Sequence, residues 1–326
     1  MMVDMVFFKQ KTQSNNKTLL YKTRRNFPPF YFTFIIRVCI INFMSGKVLA
    51  TDLDGTLFYP KRFRHCICRK NIKFLQDWID NGNRLVLVTS RSTEFLEKLK
   101  KEIQRPFDMI SCTSSRIVID GEVVKDDGID NVALKTILHD IEEKYHPRSF
   151  IMSTRDYPNI IYDNGTINFF FAIIYKLWWI FQFAYREPYI VKNEVFHSEV
   201  DRGKVYRILI FFGLARNNNK ISKDINKAIR RDYSDIESSW VKIVNEITPA
   251  NCNKGSGLDF YVNYLNINPK DLYVVGDSGN DISMFQKYYE NSYCMVHSYP
   301  SVKKYAKHII ARVYNLRKVL KGEYNE

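Results

Sequence analysis

Asp52-Leu53-Asp54-Gly55-Thr56-Leu57 sets two carboxylates two residues apart, directly behind the apolar run Val48-Leu49-Ala50. On an extended chain, side chains at i and i+2 point the same way. Such a pair can share a hard cation, or divide nucleophile and acid/base roles. Gly55 permits a sharp turn straight afterwards. Thr89-Ser90-Arg91 follows Leu85–Val88. There a hydroxyl and the N–H groups entering the next helix can hold a phosphoryl oxygen, or the hydroxyl can simply cap that helix. Gly276-Asp277-Ser278-Gly279-Asn280-Asp281 follows Leu272–Val275 and carries acids at both ends of a glycine-bearing turn, a donor set that suits Mg²⁺. Lys254-Gly255-Ser256-Gly257 puts an ammonium on a flexible turn before a helix, where it can neutralise a transferring phosphoryl group.

Each cluster stands where an element ends or begins. From residue 47 short apolar strands alternate with amphipathic helices, the pattern of a parallel α/β sheet. Ile72, Leu75, Trp78 and Ile79 mark one helical face, and Phe95, Leu96, Leu99 and Ile103 the next. Met109-Ile110 and Ile117-Val118-Ile119 read as strands; Leu258, Tyr261, Val262 and Leu265 as a helix; Ile282, Phe285 and Tyr289 as another. Open α/β sheets bind ligands beyond the carboxyl ends of their strands, so the acidic clusters lie on the appropriate edge. The stretch 125–247 differs. It opens with a helix carrying Val132, Leu134, Ile137, Leu138 and Ile141, continues through strand-like Ile160–Tyr162 and Tyr206–Phe212, and includes a basic helix between Ile221 and Arg231. It reads as a second, α+β domain (125–247) inserted into a core made of 44–124 and 248–326.

Taken together and in this order, the four clusters resemble the haloacid dehalogenase-like phosphohydrolases. Asp52–Leu57 matches that family's first motif, Thr89 the hydroxyl of the second, Lys254 the third and Gly276–Asp281 the fourth. An insert between the second and third motifs is similar to the type IIB α/β cap of Cof-type and sucrose-phosphate phosphatases. The resemblance spans roughly Lys47 to Ile310 and implies a Rossmann-like parallel-sheet core with an inserted α+β cap.

It also implies roles. Asp52 is the expected nucleophile, forming an aspartyl-phosphate, and Asp54 the expected acid/base. Thr89, Ser90 and Lys254 are expected to bind phosphoryl oxygens. Asp52, Asp54 (through its backbone carbonyl), Asp277 and Asp281 are expected around Mg²⁺, with Gly55 and Asn280 in support. Cof-type relatives usually read Ala-Thr-Gly-Arg where this chain has Val88-Thr89-Ser90-Arg91, and Asn-Gly-Ala where it has Thr113-Ser114-Ser115. Both departures bear on substrate recognition more than on catalysis.

The expected activity is Mg²⁺-dependent hydrolysis of a small phosphorylated metabolite, a sugar phosphate first. The alternatives are a phosphomutase, a non-catalytic phosphometabolite-binding or regulatory protein, and a phosphatase of a lipid-linked substrate at a membrane surface. Within the cap, the aromatic stretch 167–189 and Arg202, Lys204, Arg207 and Lys220 are where specificity is expected.

Composition bounds these readings. The 326 residues, 45% hydrophobic and 26% charged, exclude a disordered, collagenous or disulfide-stapled chain. Forty-nine basic residues against 35 acidic ones give +14, which favours an anionic partner. Residues 1–43 hold seven basic residues and one acid, so +6 of that excess sits in a leader, and nucleic-acid binding by the main body is not expected. The leader's apolar run is broken by Arg37, which suits a disordered tail or upstream extension ahead of Met44 better than a membrane span or signal peptide. Ile167–Ala184 approaches spanning length but is interrupted by Asn168, Lys176 and Gln182, and reads as a buried or interface segment. Membrane contact is a lesser alternative. The six cysteines are scattered and His65-Cys66-Ile67-Cys68 lacks zinc-site spacing, as expected of reduced thiols in a cytoplasmic protein.

Overall fold

Val48–Thr51 (β1) is apolar except for its last residue and buried throughout, as a strand covered on both faces must be. The computed structural model that contains it describes residues 46–61, 64–93, 95–163, 176–177, 180–181, 183–212, 218–234, 236–241 and 244–320; the leader lies outside these. The chain continues through helix α1 (Arg69–Asp80), β2 (Arg84–Val88), helix α2 (Phe95–Ile103), β3 (Asp108–Ser111), β4 (Arg116–Ile119) and β5 (Glu122–Asp126). A second group follows: α3 (Asn131–Tyr145), β6 (Ser149–Thr154), β7 (Ile160–Asp163), β8 (Ile190–Val191), α4 (Asn193–Arg202), β9 (Val205–Phe211), α5 (Asn218–Asp232), β10 (Ile236–Val241) and β11 (Val244–Pro249). Then come α6 (Lys254–Leu265), β12 (Leu272–Gly276), α7 (Ile282–Lys287), β13 (Ser292–Met295) and β14 (His308–Ile310).

The strands form two sheets. One has eight strands in the order β14-β13-β12-β1-β2-β3-β4-β5, parallel from β14 to β3 and antiparallel at β4 and β5. The other has six, in the order β10-β11-β9-β6-β7-β8. The architecture is therefore α/β, a Rossmann-like sheet with a second α+β sheet carried between β5 and α6. β1 lies at the centre of the first sheet, paired with β12 on one side and β2 on the other, so the loops leaving β1, β2 and β12 emerge side by side.

Alternation within the strands divides the core. Leu49, Leu85, Leu87 and Val275 pack under the α1 and α2 stripe of Phe74, Leu75, Trp78, Phe95 and Leu99. Val48, Ala50, Val86 and Val274 pack on the opposite face against Leu258 and Tyr261 of α6 and Phe285 of α7. In the second sheet, Phe150, Ile160, Ile208, Ile210 and Ile247 face α3, α4 and α5. Its other face has no such helical layer among the described residues.

One local expectation needs correcting, and two open readings are narrowed. Tyr289 does not extend α7, which ends at Lys287; Tyr289 begins a separate turn and is exposed. Thr89 is not the cap of α2, which begins only at Phe95; the Thr89 hydroxyl accepts from Arg91 N at 3.1 Å instead. In the aromatic stretch, Leu177, Ile180, Phe181 and Phe183 are exposed, whereas Ala184 and Tyr185 enter the core of the first sheet. Residues 164–175, 178–179 and 182 lie outside the described residues. Among the described residues no helix is long and apolar enough to cross a membrane.

Candidate active site

β1 delivers Asp52 to the edge of the sheet, its N–H bonded to Val275 O of β12 at 2.9 Å. The next five residues, Leu53–Leu57, turn sharply, leaving helical geometry at Asp54 and at Gly55, which takes φ +83°. A Cβ at Gly55 would stand 2.3 Å from Asp277 Oδ2, so a bare backbone is what lets the two acidic loops meet. Thr56 Oγ1 donates to Asp277 Oδ1 at 3.0 Å and ties them together.

Lys254 is the first residue of α6, fixed there by a capping box between Asn253 and Ser256. A cation at a helix N-terminus is opposed by the helix dipole by about 0.3–1 kcal/mol. Two carboxylates outweigh that: the ammonium donates to Asp52 Oδ1 at 2.6 Å and to Asp281 Oδ1 at 2.7 Å. All three groups are removed from water, with residue exposures of 1% for Lys254, 4% for Asp52 and 0% for Asp281. Burial works against the lysine's charge, yet Asp281 and Asp52 hold its pKa well above the ordinary range. The second oxygen of Asp281 accepts from the N–H groups of Asp277 and Ser278, both at 2.9 Å, and so shapes the loop after β12.

One carboxylate oxygen from each of Asp52, Asp277 and Asp281 lies within 4.8 Å of the others. Three acids surround one ammonium, and the imbalance is felt. Burial, with Asp281 and Asp277 adding to it, drives the Asp52 carboxyl well above its usual range despite Lys254. Burial and Asp281 push Asp277 up to about 6, against the Thr56 hydrogen bond and Lys254. A cluster of oxygen donors with surplus negative charge fits a hard divalent cation.

Asp54 points elsewhere. Its carboxylate accepts a fork of two bonds from Arg91, 2.6 Å from Nε and 2.8 Å from Nη2, and its side chain does not join the other three acids. Arg91 is itself held by Tyr185 O at 2.9 Å and lies over the Phe95 ring, 4.5 Å from its centroid. Thr89 is buried at the end of β2, its N–H bonded to Ile110 O at 2.9 Å. Ser90 Oγ accepts from Asn280 Nδ2 at 3.3 Å, which joins the second acidic loop to the hydroxyl loop.

A family model described as haloacid dehalogenase-like hydrolase matches residues 49–317. The chain belongs to that family. It is an enzyme of the hydrolase kind. Among its relatives, the 5-amino-6-(5-phospho-D-ribitylamino)uracil phosphatase YwtE of Bacillus subtilis (strain 168) is 24% identical over 262 residues, covering 74% of this chain and 84% of that protein. An uncharacterized protein of Mycoplasma capricolum is 24% identical over 286 residues, covering 83% and 99%. In fold, the chain is similar to SMU.1108c of Streptococcus mutans, with TM-score 0.69, 20% identity and coverages of 85% and 100%. It is also similar to the HAD subclass IIB sugar phosphatase BT4131, with TM-score 0.65, 17% identity and coverages of 84% and 99%.

This haloacid dehalogenase-like chain carries site features that residue types alone did not single out. Arg91 stood beside the hydroxyl motif without a role. Thr56, inside the first motif, proves to bind Asp277. Cys112, Thr113 and Ser114 take φ of +48°, +55° and +79°, three consecutive left-handed residues without a glycine. Ser114 occupies the place where Cof-type relatives usually have Gly, so the departure noted in the sequence is a strained backbone here. Of the four basic residues expected to set specificity, Arg207 is the one that reaches the hydroxyl loop among the described residues, donating from Nη1 to Ser90 O at 2.8 Å. Arg202 pairs with Asp156 and Glu199, Lys204 reaches Asp126 O at 3.3 Å, and Lys220 is exposed on α5. Arg202 and Lys204 line a cleft of about 480 Å³ with Asp126–Asn131, where the chain passes between the two sheets.

Proposed function

We propose that the protein is a Mg²⁺-dependent phosphomonoesterase that works through an aspartyl-phosphate on Asp52, with a small phosphorylated metabolite as substrate and a sugar phosphate as the leading class. The observation that carries this reading is the convergence of Asp52, Asp277 and Asp281 around the Lys254 ammonium at the carboxyl edge of β1 and β12. In this reading residues 44–124 and 248–326 are the catalytic core and 125–247 the cap.

Asp52 attacks phosphorus and the bond to the leaving oxygen breaks, while Asp54 gives that oxygen its proton. Water then attacks the aspartyl-phosphate as Asp54 takes a proton back, releasing phosphate and restoring the Asp52 carboxylate. Asp52, Asp277 and the Asp54 carbonyl would hold Mg²⁺, with Asp281 in support through water or through Lys254, and the ion would supply positive charge against the phosphoryl oxygens. Lys254 supplies a further positive charge. The Thr89 hydroxyl accepts from Arg91 N, which leaves its proton to donate to a phosphoryl oxygen. The Ser90 N–H and hydroxyl lie beside it. Arg91 restrains Asp54 to one orientation. The chemistry requires this mixture, because phosphoryl transfer depends chiefly on positioning and charge neutralisation. Cys66, Cys68, Cys112, Cys252 and Cys294 are all free and buried, which agrees with a reducing compartment such as the cytoplasm.

Phosphate release from a panel of sugar phosphates, nucleotides, pyridoxal phosphate and p-nitrophenyl phosphate tests the reading, with Mg²⁺, with EDTA and with Asp52→Asn. Turnover should require Mg²⁺ and fall by at least about 10³-fold in the variant, in line with loss of a covalent nucleophile. Unchanged turnover in Asp52→Asn would overturn it.

A further inference from the structure

Tyr185 belongs in sequence to the second sheet but is buried in the core of the first. Phe183–Tyr185 form a single turn, and Ala184 and Tyr185 pack in the cluster that holds Phe58, Cys66 and Phe95. The Tyr185 ring stands 5.2 Å from that of Phe58, and its hydroxyl donates to Cys66 O at 3.2 Å. Cys66 Sγ in turn donates to Ala184 O at 3.2 Å. A few residues on, Ile190 is already in β8, paired with Ile160 of β7 in the second sheet. The second sheet is thus tied to the first at a place apart from the two crossings, near 126–131 and 249–253, that lead into it and out of it.

The place of the tie matters mechanically. The crossing into the second sheet runs beside the start of β9, where the Ile129 N–H bonds to Val205 O at 2.7 Å, and the crossing out continues from β11. β8 is the edge strand on the other side, four strand spacings or about 19 Å from β11. A rotation about the two crossings therefore moves β8 much further than it moves β9 or β11. The chain from Tyr185 to Ile190 spans at most about 18 Å even when fully extended. With Tyr185 seated, the β8 edge stays within that reach of the first sheet.

The same segment grips the loop after β2. Tyr185 O accepts from Arg91 Nη1 at 2.9 Å, and Glu187 Oε1 accepts from Ser92 Oγ at 3.1 Å and Ser92 N at 3.3 Å. Glu187 Oε2 lies 3.9 Å from Arg91 Nη1. Arg91 meanwhile holds the Asp54 carboxylate through Nε and Nη2. If the segment leaves, Arg91 keeps Asp54 but loses the carbonyl that fixes the position of the pair.

We propose that residues 183–188 are a latch: Tyr185, seated beside Phe58, holds the β8 edge down on the first sheet and, through Arg91, sets Asp54 for proton transfer. The setting of Asp54 rests on the phosphatase reading above; the latch itself does not. Tyr185 acts through Arg91 and is a positioning residue. Lifting the β8 edge requires Tyr185 to leave its seat, and that departure frees Arg91 and Asp54 together. An unlatched site is then one whose acid/base is not set.

Cys66 reports on the latch because it is fully buried against the segment. Wild type, Tyr185→Phe, Tyr185→Leu and Tyr185→Ala are treated with iodoacetamide at pH 8 without denaturant, and Cys66, Cys112 and Cys294 are followed in each sample by peptide mapping. In Tyr185→Leu and Tyr185→Ala, Cys66 should react at least about tenfold faster than Cys112 or Cys294, as local opening outruns global unfolding. Tyr185→Phe keeps the ring and should stay near wild type. Cys66 reacting no faster than the other two in both Tyr185→Leu and Tyr185→Ala overturns the latch. The second arm measures kcat/KM on the best alkyl phosphate of the panel and on p-nitrophenyl phosphate. A p-nitrophenolate leaves without a proton, whereas an alkoxide needs one from Asp54. Tyr185→Leu should therefore cost the alkyl ester at least about tenfold more than p-nitrophenyl phosphate, while mere loss of folded protein costs both alike. Equal losses overturn the inference and leave the phosphatase reading intact. Wild type inactive on every ester, with Cys66 selectively opened in the variants, overturns the phosphatase reading and upholds the latch.

Discussion

Arg91 holds Asp54 by two bonds of 2.6 and 2.8 Å across 37 residues of sequence, the planar fork matched to the planar carboxylate. A lysine can supply the charge but not the second bond. Arg91→Lys should therefore lower kcat by about 10-fold or more and Arg91→Ala by about 100-fold, the range expected when an acid/base loses its orientation. Steady-state kinetics on the best substrate of the panel checks this; parity of Arg91→Lys with wild type would show that charge alone suffices.

Asp277, raised to about 6, and Asp52, also raised, would make the proposed cation site a competitor for protons. The sign follows from linkage. A carboxyl whose folded pKa exceeds its unfolded value contributes stability below the unfolded pKa, near 4, and loses it as pH rises through the folded value. Without a cation the protein should lose stability from these groups between about pH 4 and pH 6–7, where a divalent ion replaces the departing protons. Thermal unfolding with 10 mM EDTA or 10 mM Mg²⁺ at pH 5 and pH 7.5 reads this out. The Mg²⁺-induced rise in Tm should be clearly larger at pH 7.5, and a larger rise at pH 5 would contradict the assignment.

Gly55 has φ +83° with no room for a Cβ beside Asp277 Oδ2. Gly55→Ala adds left-handed strain of about 1–2 kcal/mol and pushes Asp277 out of place. Activity should fall at least about tenfold, with a weaker apparent Mg²⁺ affinity. Titrating activity against Mg²⁺ separates this from simple unfolding, since a variant that is merely less stable keeps the wild-type half-saturation at low temperature.

Cys66 and Cys112 are both buried, and burial pushes each thiol up to about 12. Cys66 Sγ also donates to Ala184 O at 3.2 Å. Thiolate is the reactive form, so at pH 8 both should resist iodoacetamide in the native protein and react only after denaturant is added. Peptide mapping of the alkylated residues decides it; rapid native modification of Cys66 would show that the Ala184 segment opens readily.

The amino-acid sequence by itself determined the chemistry available and the frame that carries it. Asp52, Asp54, Thr89, Lys254, Asp277 and Asp281 were legible because each follows or precedes an apolar run whose period reveals its element. In a parallel sheet the carboxyl ends of neighbouring strands share one edge. The tertiary structure alone decided which of those groups touch. Lys254 meets Asp52 across 202 residues, whereas Asp54 turns to Arg91. Glu246 comes to Thr113 from 133 residues away because the register of β9, β10 and β11 sets its face. Strands β5, β6, β8, β10, β11, β13 and β14 escaped notice, the shortest because two to four residues establish no period, and β10 and β11 because Glu, Ser, Asn and Thr interrupt their apolar residues. Local sequence encodes propensity and alternation. Side-chain direction at the far end of a long crossover depends on packing and register, which only the folded chain supplies.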